Sequence, residues 1–153
     1  MNRARLGFFL FAMVLLCGCG GKELRRKTLL PAPTIDFTFT PVDGEIAVTG
    51  YRGTERELLL PDMVNLVLPI AIIGEQAFYD NDTLTYVCLP ESVKSIGSEA
   101  FGSCDAIEEI VIPKTVISID ENAFAGCNAV LVVEENSYAH TYAKENDMNY
   151  RLK

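Results

Sequence analysis

The chain carries one histidine, His140, in 153 residues, and none of its five cysteines forms a Cys-x-x-Cys pair. A Ser-His-Asp or Cys-His site needs a histidine beside a nucleophile signature, and none accompanies His140, which reads as a surface or cap-packing residue. A zinc site needs paired ligands at short spacing, and these are missing too. Asp80-Asn81-Asp82 lacks the following glycine and distal glutamate of a calcium loop. No catalytic residue, metal or cofactor is therefore expected, and the chain does not read as an enzyme. Basic charge is also short, with 13 Lys and Arg against 21 Asp and Glu, for a net charge of −8. Such a chain repels nucleic acid and anionic lipid. The apolar run at residues 6–16 is eleven residues long, whereas a membrane-spanning helix needs roughly 20.

What the chain has in abundance is repetition. Ile73-Gly74-Glu75-Gln76-Ala77-Phe78 recurs as Ile96-Gly97-Ser98-Glu99-Ala100-Phe101 and as Ile119-Asp120-Glu121-Asn122-Ala123-Phe124, a step of 23 residues each time. Asn81, Cys104 and Cys127 keep the same phase, as do Leu84, Ile107 and Val130, and Val87, Ile110 and Val133. A period of this length means stacked coils that bury their apolar residues against one another, so that no coil folds alone. Within each coil, residues 84–90 and 107–113 alternate apolar and other residues up to a proline, the pattern of a short strand with one buried face. The x-x-Ala-Phe segment then suits a short helical turn on the opposite wall, with the three phenylalanines stacked inside. Asp120 stands where the other coils have glycine and tolerates the turn.

The string I-G-x-x-A-F-x-x-C-x-x-L-x-x-V-x-I-P at this step resembles the BspA-like leucine-rich repeats of bacterial surface proteins. The resemblance covers residues 73–135 directly and extends to flanks at about 36–152. It departs at Asn81, which replaces a cysteine, at Asp120, and at Glu135, which falls where the third strand would have its last apolar residue. It implies an α+β repeat solenoid with an N-terminal β-hairpin cap and a C-terminal helical cap, acting as a non-catalytic binding module.

In chain order, Arg3 and Arg5, the apolar run and Leu16-Cys17-Gly18-Cys19 read as an export signal. They resemble a bacterial lipoprotein signal, which would place the lipid on Cys19; an ordinary signal peptide or an uncleaved anchor is the alternative. Residues 1–18 form the signal and 19–34 a tether, with a basic run at Lys22, Arg25, Arg26 and Lys27 and a stiff Pro31-Ala32-Pro33 segment. Removing the signal leaves 11 basic against 21 acidic side chains, a balance of −10. Residues 35–153 are the repeat domain. Asp43-Gly44 between alternating runs predicts a hairpin over 35–51 that covers the end of the first coil. Repeats occupy 52–135, the first with a six-residue insertion around Asn65. Ser137 caps a helix within the terminal segment 136–153, where Ala139, Tyr142 and Ala143 share one face.

Two features remain as candidate sites. Cys104 and Cys127, on adjacent coils, read as an internal ladder continuing from Asn81, with a disulfide as the alternative in an exported protein. On the strand wall, Val87 and Leu89 facing inward would turn Tyr86 and Cys88 outward, and the same phase selects Glu57 and Leu59, Glu109 and Val111, and Val132 and Glu134. Leu59, Tyr86, Cys88, Val111 and Val132 would then form an oily strip with acidic edges, the mark of an interaction surface. Alternatively the hairpin, the linker or a second copy covers it. Two functions follow. One is a surface-displayed, lipid-anchored module that binds a host or neighbouring-cell protein. The other is an accessory protein inside the envelope acting on a partner from the same cell.

Overall fold

The computed structural model describes residues 36–64 and 68–153. The signal, Cys19 and the tether lie outside the described residues, as does Asn65.

Strands β1 (Phe37–Val42) and β2 (Glu45–Tyr51) form an antiparallel hairpin. Its two-residue turn has Asp43 at φ +48° and Gly44 at φ +84°, the left-handed pair whose twist matches that of the strands it joins. The chain then winds into the solenoid. Strands β3 (Glu57–Leu59), β4 (Met63–Val64) and β5 (Leu68–Ile73) make the first coil, and the insertion folds back as β4, antiparallel to β5. Strands β6 (Tyr86–Cys88), β7 (Ser95–Ile96), β8 (Glu109–Val111), β9 (Ser118–Ile119) and β10 (Val130–Val133) follow. Helix α1 (Tyr138–Glu145) and strand β11 (Tyr150–Leu152) close the described chain.

Parallel pairing builds two walls. One is β3-β6-β8-β10-β11; the other is β1-β2-β5-β7-β9, with β1 antiparallel at its end. Beyond the hairpin, sequence alternation marks the first wall only, because β7 and β9 are two residues long and carry no periodicity to read. A third side is made of turns. The helical turn expected at x-x-Ala-Phe is realised as i→i+3 turns, in which the amide of Ala77 donates to Gly74 and that of Ala100 to Gly97. Gln76 and Glu99 there have φ of +54° and +49°, so the turn cannot run on as a right-handed helix. The phenylalanine amides bond from coil to coil: Phe78 to Ala100 at 2.8 Å and Phe101 to Ala123 at 2.9 Å.

Gly74 and Gly97 serve close approach. A Cβ at Gly74 would lie 2.8 Å from the carbonyl oxygen of Val48, and one at Gly97 3.0 Å from the amide nitrogen of Glu75. At Asp120 the turn survives, with Ala123 donating to its carbonyl at 3.0 Å while the Asp120 side chain accepts from the Asn122 amide.

The phenylalanines stack as expected. Phe78, Phe101 and Phe124 have centroid separations of 4.9 and 5.5 Å and are within 4° of parallel. The column runs on through Tyr51 and Phe37 of the hairpin at one end and Tyr142 of α1 at the other. Beside it, Cys104 and Cys127 are buried and not disulfide-bonded. The Cys104 thiol donates to the carbonyl of Phe78 on the preceding coil at 2.9 Å, and Asn81 accepts from the amides of Thr83 and Leu84. Cys104 and Asn81 thus each satisfy backbone groups beside the core.

The third coil corrects the 23-residue phase. Ile110 pairs with Leu131 and Val111 with Val132, so Val133, in register with Leu152 of β11, takes the role that Ile112 has one coil earlier. The coil is two residues shorter between Cys127 and its strand, and small, buried Ala129 stands there. The third strand is therefore complete without Glu135. Ser137 caps α1 by accepting from the amide of His140, and His140 is buried, with Nδ1 accepting from the Asn136 amide and its ring edge-on to Tyr150.

Candidate functional site

The first wall has two outward rows. Glu57, Tyr86, Glu109 and Val130 are in register in one, and Leu59, Cys88, Val111, Val132 and Arg151 in the other. Between the rows lie Leu58, Val87, Ile110 and Leu131, which point the other way into the main core and have no exposure. The alternation expected from the pleat thus holds over four strands.

Four of the candidate residues need correction, in position or in exposure. Glu134 is not in the rows; it follows β10 and faces Lys114 and Lys153 at 3.9 and 3.8 Å. The two-residue shortening is the reason, since it advances the third strand relative to a strict repeat. Exposure is the second correction. Cys88, Val111 and Val132 face outward but are only 1, 2 and 1% exposed. They form a second apolar cluster, separate from the main core, against which half-buried Leu59 and Tyr86 pack. Large apolar side chains set side by side exclude water far better than isolated ones, and each adds roughly 1.5–3 kcal/mol when fully buried. Ile117, a lone apolar residue elsewhere on the surface, is 69% exposed by contrast.

Charge borders the strip. Glu57 is exposed and Glu109 half-buried, and Arg151 holds Glu109 by two contacts, Nε to Oε1 at 3.3 Å and Nη2 to Oε2 at 3.0 Å. This forked pair is directional as well as attractive. Arg151 and Val130 belong to the site but do not follow from the repeat phase. Counting back from Cys127, where the spacing breaks, is the signal that would have found Val130. Arg151 depends on β11, which has no counterpart in the repeat.

Burial pushes the Cys104 thiol up to about 11 and the Tyr142 phenol up to about 12, keeping both neutral at ordinary pH. Among the described residues no group of three or more His, Cys, Asp or Glu side chains is placed to hold a metal ion. No described helix is long and apolar enough to cross a membrane. What the wall offers is an outward, charge-edged apolar cluster four strands wide, with Leu59 and Tyr86 as its half-buried members.

A family model for the BspA type leucine-rich repeat region, in six copies, matches residues 62–145. Among solved structures, the chain is similar to a leucine-rich repeat protein of T. pallidum at 20% identity, over 67% of this chain and 71% of that one, with a TM-score of 0.42. It is similar to a leucine-rich cell surface protein of Faecalibacterium prausnitzii A2-165 at 21% identity, covering 82% of this chain but 30% of that one, with a TM-score of 0.47. It is also similar to a leucine-rich repeat protein of Bacteroides capillosus ATCC 29799 at 26% identity, over 67% of this chain and 97% of that one, with a TM-score of 0.49. No curated protein matches the chain.

Proposed function

Because the chain belongs to the BspA-type leucine-rich repeat family, we propose that it is a non-catalytic protein-interaction module, anchored to the membrane by lipid on Cys19 and displayed at the cell surface. The observation that carries the binding role is the outward apolar row of Leu59, Cys88, Val111 and Val132, edged by Tyr86, Glu57 and the Glu109–Arg151 pair. A solenoid has no need of a second apolar cluster outside its core, and apolar centres with polar rims supply most of the energy of protein interfaces. The anchor and the export route are supported by the signal pattern ending in Leu16-Cys17-Gly18-Cys19. Two lipid chains hold a protein stably at a membrane where one does so only marginally. The hairpin and α1, which continue the aromatic column at its two ends, are suited to cap the coils.

Two measurements test this. Protease treatment of intact cells is expected to release the repeat domain, whereas full protection would place it inside the envelope, acting on a partner from the same cell. A photo-cross-linking side chain at Leu59 or Tyr86 is expected to capture a protein in living cells, and one at Asn122, on the turn side, is not. Capture from Asn122 alone would refute the assignment of the face.

A further inference from the structure

We infer that the open edge of β1 pairs antiparallel with β1 of a second copy, joining two solenoids through their hairpins about a two-fold axis at Phe39. The face proposed for partner binding lies on the other wall, so the inference stands apart from that role. Its first support is the edge itself. β1 ends the second wall, with β2 on one side and no described strand on the other. It is six residues long and has no ionisable side chain, whereas the other edge strands β3, β9 and β11 are two or three residues long. Proteins ordinarily keep an edge single by making it short, charged or bulged. The bulge of this hairpin falls in β2, where Thr49 is the extra residue, and leaves β1 regular.

The turn decides which backbone groups face outward. In a two-residue hairpin the flanking pair, here Val42 and Glu45, exchanges both bonds, and alternate residues repeat that arrangement. Val42, Thr40 and Thr38 therefore face β2. The carbonyl of Thr38 accordingly accepts from the Thr49 hydroxyl, and that of Asp36 from the Arg52 amide. Phe37, Phe39 and Pro41 present their backbone groups to the open edge, and Pro41 has no N–H to give. That selects the register. With Phe39 opposite Phe39 of the second copy, the two exchange both bonds and each Phe37 amide meets a Pro41 carbonyl, so the missing donor costs one bond at each end. A pair centred on Pro41 would lose both bonds at the axis.

The side chains fit the same register. Phe39 extends the aromatic column beyond Phe37, at a centroid separation of 5.7 Å, and is only half-buried. A second Phe39 across the axis covers its open side. On the opposite face, exposed Thr38 falls opposite Thr40 of the second copy, a cross-strand pair that stabilises a sheet. This self-complementarity favours a second copy over an unrelated strand. Space allows it as well. β2 and β1 carry the second wall two strands past β5, about 10 Å at ~4.8 Å per strand, while the first wall ends at β3, in the same coil as β5. The first walls thus leave room for each other. Such an isologous pair closes on itself and does not grow into a fibre.

The test is oxidation of the full chain in detergent, at sites chosen by the register. An equimolar mixture of Thr38→Cys and Thr40→Cys chains, treated with copper phenanthroline, is expected to form a disulfide between the two introduced thiols, identified by mass spectrometry. Its yield should be several-fold above that of either variant alone or of the unaltered chain. Thr38→Lys with Thr40→Lys, at exposed positions, sets like charges opposite one another. It should raise the dissociation constant of the dimer roughly ten-fold or more in sedimentation equilibrium, with the melting temperature unchanged. Because the register brings Asp36 near Asp43 of the second copy, added salt should tighten the unaltered dimer. A chain that stays monomeric, a dimer that survives the lysines or loosens in salt, or equal disulfide yields from the mixture and the single variants would each overturn the inference. The proposed binding face is tested separately, by the cross-linkers at Leu59 and Tyr86.

Discussion

Phe101→Ala is the sharpest probe of the solenoid, because the ring lies at the middle of the aromatic column. It has no exposure and is stacked on Phe78 at 4.9 Å and 2° and on Phe124 at 5.5 Å and 4°. Removing it leaves a phenyl-sized void of roughly 100 Å3, which costs about 2.4 kcal/mol in the cavity term alone at ~24 cal/mol per Å3. Each lost aromatic contact adds about 0.5–1.5 kcal/mol, so the total falls at about 3–5 kcal/mol, the usual range for a buried phenylalanine. The void cannot collapse cheaply, since the amides of Phe78, Phe101 and Ser103 bond to the next coil and hold the spacing. Both coil interfaces that meet at Phe101 weaken together, and in a solenoid nearest-neighbour interfaces carry the cooperativity. Against a total of about 5–15 kcal/mol for a domain, the variant should melt roughly 12–20 °C lower, at about 4 °C per kcal/mol. Urea unfolding followed by circular dichroism should show a matching fall in midpoint at unchanged slope. Ile117→Ala, at a residue 69% exposed, is the control and should change stability by no more than about 0.5 kcal/mol. A Phe101→Ala chain melting within about 2 °C of the parent would refute the buried stack.

The remaining predictions concern the glycine contact, the buried acids, the face and the anchor. Gly74→Ala should cost about 1–3 kcal/mol by overpacking, because its Cβ meets the Val48 carbonyl oxygen at 2.8 Å, while Gly50→Ala, 3.4 Å from the Thr38 hydroxyl, should be tolerated; equal midpoints in urea would contradict this. Cys104 and Tyr142 hold their protons more tightly folded than unfolded, so the stability they contribute is present below about pH 9 and is lost as pH rises toward about 11 for Cys104 and about 12 for Tyr142. The urea midpoint should fall over that window and fall less in Tyr142→Phe, and a flat profile from pH 8 to 11 would rule out the buried acids. Leu59→Lys with Tyr86→Lys, at half-buried positions outside the main core, should leave the melting temperature within a few degrees but abolish partner capture by a chemical cross-linker added to intact cells, whereas Glu121→Ala with Asn122→Ala should change neither. Cys19→Ser should release the protein from membranes on fractionation and Cys17→Ser should not; an unchanged Cys19→Ser distribution would exclude the lipid anchor.

Much of this architecture is legible in the residues because a solenoid makes local pattern and tertiary contact the same thing. Positions 23 apart are neighbours in space, so the recurrence of Ala-Phe already states that Phe78 touches Phe101. The Asp43-Gly44 turn, the Ser137 cap and the inward row of Val87 and Ile110 are equally local, each following from a backbone preference or the period of a strand. The second wall beyond the hairpin was not legible, because a two-residue strand such as β7 has no alternation and exists only through its pairing with β5 and β9.

For the candidate site the division is similar. The alternation alone determined that Leu59, Cys88 and Val111 share the outward side, since the pleat offers two directions only. Which residues of the third coil join them was decided by the register of β10 on β8, where the shortening after Cys127 brings in Val130 and moves Glu134 out. Arg151 was likewise decided by β11 pairing with β10, a contact that follows no repeat. Whether the outward row meets water was a tertiary matter too: pleating sets the direction of a side chain and not its exposure, and Cys88, Val111 and Val132 face outward yet are 1–2% exposed.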